Sequence, residues 1–267
     1  YFHNPDFLKK KDENKMLFGA NNGVLDLGLG MFRSGRPDDY ITMSCNVDFK
    51  EFSEDDEDVI DITDMFTKIF PNKNRREYFF DLLCACLQGG NSNKTFSIHT
   101  GVGDNAKSFT FKLIEAIFGD YCMNFPRKML VQGSERGPSG ARPELARVRG
   151  KRIATIAEVA KHETLDIGVL KELTGNDRFF ARGIYEKGTD ITPMFTLFLQ
   201  CNEPPKIPGH DDATWNRVKI IDYESRFLIN GKKKVGNKWI RVPETEEEQR
   251  KQNLYKADLN LGDRVNE

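Results

Sequence analysis

The stretch Gly101-Val-Gly-Asp-Asn-Ala-Lys107-Ser108 matches a phosphate-binding loop at every position of the pattern but one. The segment before it, Thr95-Phe-Ser-Ile-His99, alternates apolar and polar residues as a strand does. The segment 109–118 after it carries apolar residues at helical spacing, and Gly119 ends that segment. A strand, a glycine-rich turn and a helix are the setting of a phosphate-binding loop (P-loop), because backbone N–H groups and a helix N-terminus face the phosphates there.

The P-loop predicts a site for ATP with Mg²⁺. Lys107 is expected to reach the β- and γ-phosphate oxygens, and the Ser108 hydroxyl is expected to bind Mg²⁺. The irregular position is Ala106, where the pattern has glycine. The predicted nucleotide-binding residues are Gly101, Gly103, Asp104, Asn105, Ala106, Lys107 and Ser108. The alternative is a chance match to a degenerate pattern, and the strand and helix on either side argue against it.

The composition is that of a globular protein with unevenly distributed charge. The chain has 267 residues, of which 38% are hydrophobic and 30% charged, with a formal net charge of −1. Residues 51–64 contain eight acidic and no basic side chains, whereas residues 127–161 contain nine basic and three acidic ones. The basic stretch predicts either a surface for a polyanion or a solvated helix face.

The cysteine pattern and the absence of targeting segments predict an intracellular, reducing compartment. The five cysteines are odd in number and lack metal-ligand spacing. Cys84 and Cys86 lie in an apolar run, so we expect both thiols to be buried. We find no signal peptide and no apolar run long enough to span a membrane. Because the chain starts at Tyr1 without an initiator Met, we interpret it as part of a longer protein.

The order of elements predicts an α/β fold with a central, mostly parallel sheet. The predicted strands are 95–99, 152–157, 194–201 and 217–223. We divide the chain into an accessory N-terminal module (1–92), an ATPase core (93–227) and a polar C-terminal extension (228–267). The module contains short strands around residues 21–27 and a helix over 74–87. The extension contains a hairpin after residue 227 and a surface helix over 244–256.

Three more residues complete a candidate ATPase site. Glu158 ends an apolar strand 51 residues after Lys107, where a carboxylate could bind Mg²⁺ and polarise water. Asn202 follows the next apolar strand and could orient that water. Arg217 starts the last strand and could stabilise charge on a neighbouring subunit's γ-phosphate. The alternatives are a surface glutamate, an asparagine that caps a Pro-rich turn and an arginine in an intrachain salt bridge.

The ordered set of motifs resembles superfamily 3 helicases, and more narrowly the poxvirus-type primase-helicases of large DNA viruses, phages and plasmids. The resemblance covers about residues 15 to 227 and includes Asn22-Gly-Val-Leu-Asp-Leu27 in the module that precedes the helicase. The motifs that carry it are the P-loop, the strand before Glu158, Leu173-Thr-Gly-Asn-Asp177, the strand before Asn202, and Trp215-Asn-Arg217.

The resemblance implies an AAA+-like core that hydrolyses ATP, assembles as a homo-hexamer and translocates on single-stranded or forked DNA. It assigns Lys107 and Ser108 to nucleotide and Mg²⁺, and Glu158, Asn202 and Arg217 to catalysis. A primase domain is expected in the parent chain or as a partner, at a viral replication site in the host cell. The chain departs from the family pattern at Ala106 and at Ala157, where some relatives carry a second acid. It also stops before the C-terminal helical part of those proteins.

The resemblance also places a DNA-binding hairpin between residues 177 and 189. We expect Lys187 at its tip to grip the DNA backbone, with Tyr185 and Arg182 as supports, because cations pair with phosphates and aromatic rings stack on any base. The alternative is an ordinary surface hairpin, and under either interpretation we expect Phe179 and Phe180 to lie in the core. Arg142 and Arg147 in the basic stretch are further candidates for contacts with nucleotide, neighbour or DNA.

The sequence therefore predicts the ATP-dependent helicase core of a viral or mobile-element replication protein. Another P-loop enzyme, such as a packaging motor, an initiator or a small-molecule kinase, is one rival. A kinase would need a substrate pocket and a lid, which the segment between Glu158 and Asn202 does not indicate. The second rival is a nucleotide-binding scaffold without helicase activity, with Ala106 as a sign of decay.

Overall fold

The structure is a computed structural model of the chain, described for residues 7–133, 143–157, 159–182, 188–209 and 211–261. The helices are α1 (Phe7–Lys10), α2 (Glu57–Ile69), α3 (Lys73–Leu87), α4 (Lys107–Phe118), α5 (Pro143–Ala146), α6 (Ile167–Thr174), α7 (Asp212–Trp215) and α8 (Glu246–Gln252). The strands are β1 (Leu17–Ala20), β2 (Gly23–Asp26), β3 (Met31–Arg33), β4 (Phe96–Thr100), β5 (Cys122–Asn124), β6 (Ile153–Ala157), β7 (Phe179–Ala181), β8 (Thr189–Ile191), β9 (Thr196–Gln200), β10 (Val218–Asp222), β11 (Arg226–Leu228), β12 (Lys232–Val235), β13 (Lys238–Arg241) and β14 (Leu254–Lys256).

A five-stranded sheet in the order β10-β4-β9-β6-β5 forms the centre of the molecule, and all of its pairings are parallel. The strand that precedes the P-loop, β4, lies between β10 and β9. Because the strands are parallel, all five end at one edge, the carboxyl edge, and begin at the other, the amino edge. The α/β fold with a central parallel sheet is confirmed, and the four predicted strands each match an observed strand to within two residues.

Apolar side chains cover both faces of this sheet, as a parallel sheet requires. Alternate residues of β9 separate the two faces: Leu197 and Leu199 lie in one buried cluster, and Phe198 lies in the other. The first cluster includes α6 and β7, and the second includes α3, α4 and parts of the N-terminal region. The chain thus has a core on each side of the strands that carry the P-loop.

The N-terminal region forms the antiparallel sheet β1-β2-β3 and packs against the second face. The Phe18 ring stacks on Tyr121 with centroids 4.3 Å apart, and the Gly19 N–H donates to the Tyr121 hydroxyl at 2.8 Å. The buried guanidinium of Arg152, at the start of β6, donates to the Leu17 carbonyl at 3.0 Å. These contacts join the region to the sheet, while the proposed boundaries at 92/93 and 227/228 stay predictions.

Helix α2 begins within the acidic stretch 51–64 and continues to Ile69. Glu57 and Asp58 occupy its first turn, where carboxylates are favourable beside the positive end of the helix dipole. Phe66 and Ile69 face the core. Four of the eight acidic residues therefore lie in this helix, outside its apolar face, and the other four precede it.

Three predictions about individual segments are wrong in part. The predicted surface helix over 244–256 is the helix α8 followed by strand β14, because Asn253 between them adopts a left-handed conformation that ends the helix. Phe179 is buried as predicted, but Phe180 is 61% exposed because adjacent strand residues point to opposite faces. Cys86 is buried, whereas Cys84 is exposed on the same helix, and all five cysteines are free thiols.

The C-terminal region adds two small sheets beside the P-loop. Strands β11 and β14 pair in parallel, and β12 and β13 form an antiparallel hairpin with Lys233 opposite Ile240. The predicted hairpin is thus confirmed. None of the described helices is both long and apolar enough to cross a bilayer.

Candidate nucleotide-binding site

The P-loop connects β4 to α4 at the carboxyl edge of the sheet, and glycine occupies two of the loop positions whose φ is positive. Gly101 has a φ of +153° and Gly103 a φ of +74°. A Cβ on Gly101 would lie 2.0 Å from Asn105 Nδ2, so the loop closes on itself at a distance that only glycine allows. The N–H groups in the first turn of α4 have no acceptors within the helix. They are therefore available to an anion bound in the same loop.

Ala106 adopts a left-handed conformation, with φ +60° and ψ +9°, immediately before the first residue of α4. This region costs an L-residue with a Cβ roughly 1–2 kcal/mol. The usual glycine at this position therefore serves a backbone requirement, and alanine meets that requirement under strain.

The Lys107 ammonium is buried and is held by oxygen atoms around the loop. It donates to the Gly101 carbonyl at 3.2 Å, to the Cys201 carbonyl, and to Asn202 Oδ1 at 3.4 Å. Burial lowers the pKa of Lys107 below its ordinary value. Among the residues that the structure describes, the acceptors of this cation are three neutral oxygen atoms and include no carboxylate, so its charge is available to an anion in the loop.

Ser108 and Asn202 lie with Lys107 around one cavity of about 490 Å³, which we call the edge cavity. The Ser108 hydroxyl lies 3.5 Å from Gln200 Nε2 at the end of β9. Asn202, one residue beyond Cys201, also accepts a hydrogen bond from the Gly101 N–H through its backbone carbonyl at 3.2 Å. The structure therefore brings together three of the predicted site residues from two distant parts of the chain.

Two observations fit a triphosphate with Mg²⁺ in this site. The Asn105 side chain is 4% exposed, and its Nδ2 atom has no hydrogen-bond partner among the described residues. An unpaired buried donor costs about 1–3 kcal/mol, which a phosphate oxygen in the loop would recover. The Ser108 hydroxyl and the Asn202 amide oxygen are oxygen atoms, which Mg²⁺ prefers as ligands. Either atom can bind the ion directly or accept a hydrogen bond from one of its waters. Asn105 was predicted from the motif, and the structure adds its unpaired amide.

Glu158, the predicted acid, lies outside the described residues. Its neighbours Ala157, the last residue of β6, and Val159 both line the edge cavity. Among the described residues no cluster of three or more His, Cys, Asp or Glu side chains could hold a metal ion. The role of Glu158 stays a prediction.

Arg217 lies at the amino edge of the sheet, away from the P-loop. Its carbonyl accepts a hydrogen bond at 2.9 Å from the N–H of Phe96, the first residue of β4, and the next residue, Val218, is paired with Phe96. The length of β4, roughly 16 Å at about 3.3 Å per residue, separates this position from Gly101. The Arg217 guanidinium donates to the Ala213 carbonyl, and its Nε is buried without a partner among the described residues. Within one chain, Arg217 is not part of the edge cavity.

The predicted DNA-binding hairpin is described only at its base. Strands β7 and β8 pair antiparallel with Ala181 opposite Thr189, and the exposed Arg182 follows β7. Tyr185 and Lys187 lie outside the described residues, as does Arg142. Arg147 is exposed directly after α5.

The amino edge near this base holds a cavity of about 780 Å³ that basic residues border. Arg178, just before β7, and Arg149, just before β6, both line it. Arg149 pairs with Glu13 at 3.4 Å. This part of the amino edge therefore combines cations with the start of the hairpin.

Sequence reasoning missed polar residues that border the edge cavity. Gln200 closes an apolar strand, and its register opposite Ala157 places it beside the tip of β6. A polar residue at the last position of an apolar strand is the signal that could have identified it. Lys161 and Glu203, which form an ion pair between the two loops that follow β6 and β9, had no such signal.

His99 supports the loop from inside the sheet. Its ring is fully buried among aromatic side chains, and Nδ1 lies 3.3 Å from the Tyr223 hydroxyl. Burial, and then the nearby Lys107 charge, lower the pKa of His99 to about 3. His99 is therefore neutral at physiological pH and adds no charge beside the lysine.

A parallel sheet whose glycine-rich loop leads into a helix that begins with Lys107-Ser108 defines a P-loop-like α/β protein. Comparison with known proteins narrows this class to one family. Residues 4–72 match a family model described as "D5 N terminal like". The chain is 43% identical to "Putative helicase 184R" of Invertebrate iridescent virus 6 over 224 residues, which cover 82% of this chain and 23% of that protein. It is 39% identical to "Putative helicase L207/L206" of Acanthamoeba polyphaga mimivirus over 226 residues, which cover 85% of this chain and 23% of that protein.

A solved structure shares the fold. An apo structure of the NrS-1 C-terminal region superposes with a TM-score of 0.51 at 14% identity, covering 81% of this chain and 42% of that one. These matches fit the D5-type primase-helicase family of large DNA viruses, which the sequence motifs predicted. It spans about a quarter of the length of the two viral relatives.

Proposed function

We propose that this chain is the ATP-hydrolysing core of a DNA helicase in a viral replication protein. The observation that carries the proposal is the edge cavity, where Lys107, Ser108 and Asn202 converge beside a glycine-rich loop and a helix N-terminus. Within the described part of the chain, Asn105 Nδ2 has no hydrogen-bond partner and Lys107 has no carboxylate partner, and both features suit a triphosphate better than a neutral ligand.

The residues of the edge cavity divide the chemistry among them. Lys107 neutralises charge on the β- and γ-phosphates, and Ser108 with Glu158 would hold Mg²⁺, which offsets the remaining charge when bound. Asn202 orients the attacking water, and Glu158 accepts its proton. This division makes the carboxyl edge the place of hydrolysis.

Arg217 completes the site only from a neighbouring copy. Since it lies at the opposite edge of its own sheet, its guanidinium cannot reach the P-loop of the same chain. A head-to-tail ring presents one face of each subunit to a different face of the next. In a homo-hexamer, Arg217 would thus stabilise the γ-phosphate charge of the adjacent site.

Single-stranded or forked DNA is the proposed substrate. The cations of the amino edge and the hairpin that carries Arg182, Tyr185 and Lys187 supply phosphate and stacking contacts that tolerate any sequence. A primase domain in the parent chain or as a partner would act on the same DNA, at the viral replication site inside the host cell.

The experiment is ATP hydrolysis by the whole 267-residue chain with and without single-stranded DNA. We expect DNA to stimulate turnover, and we expect both Lys107→Ala and Arg217→Ala to reduce it at least about 100-fold. Lys112→Ala is the matched control, because Lys112 is an exposed lysine on the same helix as Lys107. Nucleotide binding is measured in parallel.

Unchanged ATP turnover in both Lys107→Ala and Arg217→Ala would contradict the proposal that this chain is an ATP-hydrolysing helicase core. Nucleotide binding without hydrolysis in the unaltered chain would instead favour a nucleotide-binding scaffold, which the strained Ala106 makes the relevant rival. Hydrolysis that DNA does not change would favour another P-loop motor.

A further inference from the structure

A second cavity flanks the P-loop on the side away from the edge cavity. It has a volume of about 440 Å³ and lies between the outer residues of the loop and the β12–β13 hairpin. We call it the hairpin cavity. Its volume is within the range of small-molecule sites, roughly 300–1,000 Å³. The lining includes Val102, Arg226, Leu228, Lys234, Val235 and Ile240.

Two contacts fix the hairpin region to the P-loop. Lys233 of β12 forms an ion pair with the Asp104 carboxylate. The Phe227 N–H, from β11, donates to the Asp104 carbonyl at 2.6 Å. The ion pair also offsets the negative charge of Asp104, which would otherwise repel a phosphate bound in the same loop. The C-terminal region is thereby part of the wall of the nucleotide site.

The arrangement of the two cavities sets the direction of a bound nucleotide. Lys107, Ser108 and Asn202, which suit the terminal phosphates and Mg²⁺, all line the edge cavity, toward β9 and β6. Gly103 and Asp104 line the hairpin cavity on the other side of the loop. A phosphate chain held along the loop with its end in the edge cavity must therefore leave toward the hairpin cavity.

We propose that the hairpin cavity binds the nucleoside of a nucleoside triphosphate whose phosphates occupy the P-loop. This inference rests on the proposed function and assigns a role to a segment that the ATPase motifs do not include. Val235 and Ile240 pack against the base, and the aliphatic Val102 borders the loop side. Arg226 and Lys234 lie where a ribose hydroxyl or an α-phosphate oxygen can accept hydrogen bonds.

The lining also predicts how selective the site is. Among the described lining residues there is no Asn, Gln, Ser or Thr, and the one carboxylate, Asp104, is already paired with Lys233. With Arg226 and Lys234 engaged by the ribose or the α-phosphate, the base meets mainly aliphatic side chains, which discriminate weakly between bases of similar shape. We expect ATP and GTP to bind with affinities within about tenfold of each other.

The test compares Mg²⁺-ATP with inorganic tripolyphosphate, which lacks the nucleoside. Calorimetric titrations use the whole chain, a Val235→Ser/Ile240→Ser variant, and Lys107→Ala. The matched control is Trp239→Ser, because Trp239 is adjacent to Ile240 on β13 and is 59% exposed outside the cavity. Circular dichroism confirms that each variant is folded.

We expect the Val235→Ser/Ile240→Ser variant to bind ATP about tenfold more weakly, and tripolyphosphate with unchanged affinity. Trp239→Ser should bind both ligands as the unaltered chain does. Equal losses for the two ligands, or no loss for either, would overturn the nucleoside site. Failure of the unaltered chain to bind ATP, or full ATP binding by Lys107→Ala, would instead contradict the proposed function itself.

Discussion

The two edges of the central sheet carry different kinds of polar residue. At the carboxyl edge, Lys107, Ser108 and Asn202 surround one cavity, and the lysine is fixed by neutral oxygen atoms. At the amino edge, Arg217 and Arg178 lie in two separate connections, just before β10 and just before β7. The carboxyl edge therefore gathers polar groups from the P-loop and the end of β9 around one cavity, whereas the arginines of the amino edge come from connections that precede the strands.

The difference shows that one chain contains only part of the proposed ATPase site. In the proposed function the carboxyl edge binds the nucleotide and a second copy supplies Arg217, because the length of β4 separates the two positions within one chain. In the same proposal, the amino edge acts through contacts with DNA or with a neighbouring subunit. Substitutions that separate these two behaviours test the comparison.

The largest expected effect comes from the same residue type placed at each edge. We expect Asn202→Ala to lower ATP turnover about 100-fold, because a positioned amide that orients the attacking group is lost. Asn216→Ala, an exposed amide beside Arg217, should leave turnover within about twofold of the unaltered chain. Steady-state kinetics measure both, and equal effects would remove the distinction between the edges.

The next effect concerns His99, which lies in β4 directly beneath the P-loop. Because its pKa falls to about 3 in the folded chain while the unfolded residue keeps a value near 6.5, the unfolded state binds the extra proton as pH falls. Through this residue alone, the free energy of unfolding should fall by about 2 kcal/mol when the pH is lowered from 7.5 to 5.

Urea unfolding at the two pH values measures this loss. His99→Leu should show a drop smaller by about that amount, whatever its absolute stability. An identical drop in the variant and in the unaltered chain would show that His99 is not held neutral between Tyr223 and Lys107.

A smaller effect is expected for DNA binding at the hairpin. Arg182→Ala and Lys187→Ala should each weaken binding of single-stranded DNA several-fold and lower the slope of log affinity against log salt by about one. Lys256→Ala, an exposed lysine on β14, is the control. Fluorescence anisotropy at several salt concentrations gives the slope, and a slope that stays constant in both hairpin variants would place the DNA elsewhere.

The smallest effect is a gain in stability at the P-loop. Ala106→Gly removes the Cβ from a left-handed residue and should stabilise the chain by roughly 0.5–1 kcal/mol. Ala116→Gly, in the interior of α4, should instead destabilise it by about 1 kcal/mol. Urea unfolding measures the free energy of unfolding of both variants. A loss of stability in Ala106→Gly as well as in Ala116→Gly would show that Ala106 is not strained.

Local patterns predicted much of the fold. The apolar runs that form β4, β6, β9 and β10 are short and bounded by turn residues, so their positions could be found from the sequence. Their order in the sheet could not, because it depends on pairings between residues far apart in the chain. Phe180 was misplaced for a related reason, since its face depends on the register of a three-residue strand.

The candidate site divides in the same way. The P-loop residues were predictable because their spacing reflects a local backbone path, although the left-handed strain at Ala106 appears only in the folded loop. The ion pair between Asp104 and Lys233 joins residues 129 positions apart, and no local pattern indicates it. The location of Arg217 at the amino edge followed in principle from its place at the start of a parallel strand.

The most direct test of the account is to mix the Lys107→Ala and Arg217→Ala proteins and measure DNA-stimulated ATP hydrolysis. The central claim is that each active site combines the carboxyl edge of one copy with Arg217 of the next. In a mixed ring, roughly a quarter of the interfaces would pair an intact Lys107 with an intact Arg217. We predict that the mixture hydrolyses ATP faster than either variant alone. A mixture no more active than the average of the two separate variants would contradict the claim.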